Sequence, residues 1–155
     1  MTQFDPTLDL RLERRMTAAP ETVWRCWTDP ELFARWFAPD PVKVTDVNYG
    51  FYPGGPANFT MTLPDGTVMP LKGCVLEVEE ARRIVTTDAM TEGFRPAESP
   101  FLTTIIELIP DGSGTLYRAT ALHNDTAARG RHEEMGFHDG WGTVAEQLDR
   151  LSAGL

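Results

Sequence analysis

Lysine is almost missing from this sequence. Of the 14 basic residues in 155, only Lys43 and Lys72 are lysines, against 23 acidic residues and a net charge of -9. A surface that holds phosphates needs clustered Lys and Arg, and the arginines here are scattered or sit beside acids, so nucleic acid and anionic membrane surfaces are excluded as partners. Cysteine is equally scarce. Cys26 and Cys74 stand among apolar neighbours without a CxxC spacing, which argues for two free, buried thiols and against a redox or metal site. No run approaches the roughly 18 consecutive apolar residues that span a bilayer, and "MTQFDPTLDLRLERRM" lacks the apolar stretch of a signal peptide. A cytoplasmic protein without membrane insertion is expected. A Gly-rich phosphate loop, a GxSxG elbow and an HExxH helix are all missing too, so no catalytic residue, metal or cofactor is assigned.

What is present belongs to a globular protein: 41% apolar, 24% charged and 10% aromatic residues. A chain of this length buries roughly 68 to 70% of its unfolded surface, enough for one core without staples, and the absence of repeats or linkers implies one domain with its core from about Leu8 to Leu151. "LDLRLERRM" alternates with the period of a half-buried strand. "AAPETVWRCWTDPELFARWF" reads as two short helices, with Pro20 in a first turn, Asp29 as a cap and Pro30 restarting the chain. From Val42 to Leu122 strands and turns follow: "VKVTDV", "ANFTMTL", an Asp65-Gly66 hairpin turn, a longer strand in "VMPLKGCVLEVEE", then "RRIVTTDAM", "LTTIIELIP" and "LYRATALHN". A final helix from about Thr126 to Leu151 carries an apolar stripe of Trp141, Val144, Leu148 and Leu151. The predicted class is α+β, a curved antiparallel sheet of about six to seven strands covered by that helix.

The segments "TAAPETVWRCWTDPELFARWFAP", "PDGT", "VLEVEEARRIV", "GSGT" and "HEEMGFHDGWG", in this order, resemble the family related to the C-terminal domain of the activator of the HSP-90 ATPase. That family lies in the START-like, or helix-grip, superfamily with polyketide cyclases and pollen-allergen-type lipid carriers. The resemblance covers about Leu8 to Leu151 and implies a pocket between the sheet and the C-terminal helix. A counterpart of the separate N-terminal domain through which the eponymous co-chaperone makes much of its chaperone contact is not expected here.

Candidate pocket residues come from several elements. In "TLYRATALH" one strand face carries Tyr117, Ala119, Ala121 and His123, and Arg118 on the other face favours turning the first inward. Two alanines leave space beneath the helix, flanked by two polar tips. The alternative is that Phe137 and Trp141 fill this space. Phe59 and Met61 suit either an apolar ligand wall or plain core. "ARWFAP" resembles the family's pocket edge, which implies Trp36 or Phe37 at the mouth. Met90 lies in a Gly-, Pro- and acid-rich loop expected to cover an opening. On the helix, i, i+3, i+4 spacing puts His138 in line with Trp141 and beside Phe137. Gly136, Gly140 and Gly142 each cost about 1 kcal/mol in a helix relative to Ala, which calls for a close approach, a ligand or a kink.

Three readings follow. The first is a protein that binds a small hydrophobic or aromatic molecule between sheet and helix, with His138, His123 and Tyr117 as polar anchors. The second is a cyclase- or hydratase-type enzyme using a pocket His with Asp88 or Tyr117. The third is a module that contacts a chaperone.

Overall fold

Residues 3–155 are described by the computed structural model. β1 (Asp9–Met16) leads into α1 (Pro20–Thr28) and α2 (Pro30–Phe33). Pro20 opens α1, and the Asp29 carboxylate accepts from the Glu31 and Leu32 N–H groups to cap α2, the role that "TDPEL" predicts. The strands follow: β2 (Lys43–Tyr49), β3 (Ala57–Thr62), β4 (Val68–Leu71), β5 (Cys74–Glu79), β6 (Arg83–Thr87), the small hairpin of β7 (Met90–Thr91) and β8 (Arg95–Pro96), β9 (Thr103–Asp111) and β10 (Gly114–Leu122). Two helices close the chain, α3 (Thr126–Glu134) and α4 (Phe137–Ala153).

The strands form a five-stranded antiparallel sheet in the order β1-β10-β9-β6-β5 and a three-stranded one in the order β2-β3-β4. Backbone bonds stitch them into one curved wall: Gly54 N–H donates to Val75 O, Val75 N–H to Gly55 O, and Ala57 N–H to Gly73 O. The long strand expected across Val68–Glu80 is therefore two strands. Glycine is required at the break, because a Cβ at Gly73 would lie 2.7 Å from the Thr87 carbonyl oxygen.

α4 lies against this wall. Ala145 and Leu148 are fully buried, and Trp141, Val144 and Leu151 pack on the same core, so the expected stripe faces inward. The single helix expected from Thr126 to Leu151 is interrupted, however. Gly136 adopts φ +95, a left-handed conformation that ends α3 and starts α4 on a new axis. At the other end of the core, Trp27, Phe33 and Trp36 meet edge to face with centroids 5.2 to 5.6 Å apart, each such ring pair adding about 0.5–1.5 kcal/mol to the burial of its surface. Phe33 carries this plug onto Tyr49 of β2 and Phe59 of β3, while α1 packs against α4, β9 and β10.

Candidate functional site

Between the plug and α4 lies a cavity of about 360 Å³, walled mostly by apolar atoms. Trp27, Trp36, Phe37 and Pro39 form one wall. Tyr49, Ala57, Phe59, Met61 and Leu71 come from β2–β4, Leu12, Ile106, Tyr117 and Ala119 from the larger sheet, and Gly140, Trp141, Val144 and Ala145 from α4. Lys72, exposed, marks the rim, and Asp88 and His132 also reach the lining.

Seven of the twelve residues singled out from the sequence therefore line this space: Trp36, Phe37, Phe59, Met61, Tyr117, Ala119 and Trp141. Five do not. Ala121 is on the expected inward face of β10, but Phe137 and Leu10 cover it in a small cluster of their own. So Phe137 does fill the gap at that end, tilted against Trp141 with ring centroids 4.6 Å apart, while the Tyr117–Ala119 end stays open. Met90 is held in the β7–β8 hairpin opposite Pro96. The loop around it is tied down, since the Asp88 carboxylate accepts from the Phe101 and Leu102 N–H groups at 2.8 and 3.0 Å. His138 points away from the cavity, with its side chain 57% exposed and Nε2 3.0 Å from the Glu133 carboxylate. His123 is buried behind His132.

His132 takes the place that the sequence pattern gave to His138. His123 Nδ1 lies 2.8 Å from the Leu8 carbonyl, which can only accept, so that nitrogen carries the hydrogen. His123 Nε2 then faces His132 Nδ1 at 2.8 Å, and in the neutral pair His132 donates. The network leaves His132 Nε2 as a bare acceptor. Burial first, and the neighbouring His123 second, lower the His132 pKa to about 4. Its ring is clasped by Phe101, Phe137 and Trp141.

Two further lining residues, Trp27 and Tyr49, were not singled out by sequence pattern. Trp27 reads there as an ordinary core position on α1, and Tyr49 ends a strand whose register slips between Thr45 and Asn48, which hides its alternation. Burial pushes the Tyr49 hydroxyl pKa up. It does the same for Tyr117, partly offset by the approach of the Trp27 N–H and reinforced by Tyr49.

Both cysteines are free and buried, as expected. Among the described residues no group of three His, Cys, Asp or Glu side chains could hold a metal ion, and no described helix is long and apolar enough to cross a membrane.

The fold has counterparts among solved structures. Protein NE0264 from Nitrosomonas europaea is 43% identical, with 96% of each chain covered and a TM-score of 0.92. Protein Ms6760 from Mycobacterium smegmatis, 23% identical over 94% of this chain and 90% of its own, superposes with a TM-score of 0.78. The AHSA1-like protein from Aeromonas hydrophila is 19% identical over 95% and 93%, with a TM-score of 0.72, a likeness of fold alone. No curated protein matches the chain. The sequence pattern described as activator of Hsp90 ATPase homolog 1-like protein matches residues 17–153, and the chain belongs to that family.

Proposed function

We propose that this protein binds a small hydrophobic or aromatic molecule in the space between its curved sheet and α4. The observation that carries the reading is the unfilled apolar cavity of about 360 Å³, a volume at the lower end of the roughly 300–1,000 Å³ typical of small-molecule sites. Water gains little along walls of Phe59, Met61, Val144 and Ala145, and an apolar ligand would cover them more favourably.

Binding fits the titration behaviour better than cyclase-type catalysis. A general base works best with a pKa near the working pH, whereas His132 is lowered to about 4 and the Tyr117 hydroxyl is raised. The buried free thiols suit a reducing compartment, and the proposal places the protein in the cytoplasm. The test is a fluorescence titration with N-phenyl-1-naphthylamine against the wild-type chain and Ala119→Leu. Ala119 is buried on the cavity floor, so the larger side chain should occupy the site, keep the melting temperature and weaken binding at least tenfold. Equal binding by both proteins would place the dye elsewhere and overturn the reading.

A further inference from the structure

Besides Lys72, Asp88, His132 and the threonines of β6 and β9, the mostly apolar lining carries polar groups on Trp27, Tyr49 and Tyr117. The Trp27 indole N–H is buried with no hydrogen-bond partner, in a residue only 4% exposed. It lies near enough to the Tyr117 hydroxyl to lower that group's pKa, yet it does not meet the geometry of a hydrogen bond, and Tyr49 on the same lining raises the Tyr117 pKa. Tyr117 is also only 4% exposed. The contrast with the neighbouring Trp36 is informative: its indole N–H donates to the Cys26 carbonyl at 2.9 Å. Buried donors are satisfied almost everywhere in native proteins, so an orphan beside two hydroxyls on a cavity wall calls for an acceptor from outside the chain.

We infer that Trp27, Tyr49 and Tyr117 form a polar subsite for the oxygen acceptor of a neutral ring-bearing ligand, a ketone, quinone or similar carbonyl. The inference rests on the binding function proposed above and specifies its ligand. Each of the three groups carries a hydrogen, and a carbonyl oxygen has the lone pairs to receive two of them. Burial keeps both tyrosines protonated and able to donate. A carboxylate suits the subsite poorly. The only lysine or arginine on the lining is Lys72, at the rim, and Asp88 adds negative charge, so an anion would be desolvated without a counter-charge.

The test is displacement of N-phenyl-1-naphthylamine by three ring-matched probes: 9-fluorenone, fluorene and fluorene-9-carboxylate. It uses the full chain and its Tyr117→Phe and Tyr49→Phe variants, which keep the ring and lose only the hydroxyl. Fluorenone should bind about tenfold more tightly than fluorene and the carboxylate most weakly, and Tyr117→Phe should erase most of the fluorenone advantage while leaving fluorene within about twofold. Equal affinity for fluorenone and fluorene in the wild type would mean that a resident water satisfies the cluster. That result overturns the subsite while leaving apolar binding intact. Tightest binding by the carboxylate overturns the neutral-ligand assignment, and failure of the dye and all three probes to bind removes the binding function and the subsite together.

Discussion

His132 makes stability depend on pH in a window that the carboxylates do not share. Its pKa falls from an ordinary 6.5 to about 4 on folding, because the ring is shielded by Phe101, Phe137 and Trp141 and lies against His123. Below pH 6.5 the unfolded chain therefore takes up a proton that the folded chain refuses, and stability is lost progressively as pH falls from about 6.5 to about 4. At about 1.36 kcal/mol per pH unit the full shift corresponds to about 3.4 kcal/mol. Access of solvent through the cavity reduces this to about 1–3 kcal/mol. The carboxylates of Asp5, Asp65 and Glu133, lowered by hydrogen bonds to Thr7, Thr67 and His138 respectively, act below their ordinary 3.8–4.5 and are common to both proteins compared. Urea unfolding at pH 7.0 and pH 4.5 should show the wild type losing about 1–3 kcal/mol more than His132→Phe, which keeps an aromatic ring in the same clasp. Parallel losses in the two proteins would refute the burial of a neutral His132.

Gln147 ties α4 to the cavity wall: its Nε2 donates to the Trp36 and Ala38 carbonyls at 2.9 Å and its Oε1 accepts from the Asp40 N–H at 3.1 Å. Gln147→Leu strands three backbone groups and should cost about 2–4 kcal/mol in urea unfolding. Two glycines should respond in opposite directions in a thermal melt. Gly142→Ala places its Cβ in open space within α4 and should stabilise by about 1 kcal/mol, whereas Gly136→Ala must hold φ near +95 and should destabilise by about 1–2 kcal/mol.

The contrast between His138 and His132 shows where sequence periodicity stops being informative. Within α4 the spacing fits Phe137 or His138 equally well to Trp141, and it is Phe137 that turns inward with Ala145 and Leu148 while His138 is exposed. The left-handed turn at Gly136 separately starts α4 in a new phase from α3, whose His132 is buried and Glu134 exposed. The three glycines signalled an irregularity without saying where the phase would change. The inward face of β10 was legible: Tyr117, Ala119, Ala121 and, just beyond the strand, His123 are all buried, while Arg118 pairs with Glu13 on the outer face, where Thr120 is buried as well. Which part of that buried face stays open was not legible, because it depends on Phe137 landing over Ala121, a tertiary contact. The α4 stripe was legible because four apolar side chains at helical spacing leave one face to bury. The lone Trp27 N–H was not, since a missing hydrogen bond has no sequence pattern.

Methyl resonances report most directly on whether ligand enters the space between sheet and α4. With alanine and methionine methyls labelled, a titration with N-phenyl-1-naphthylamine should shift Ala57, Met61, Ala119 and Ala145, which line the cavity, and leave Ala121 under Phe137 and the exposed Met135 in place. Shifts confined to Met135 or Met69 on the surface, with Ala119 and Ala145 unmoved, would contradict the account.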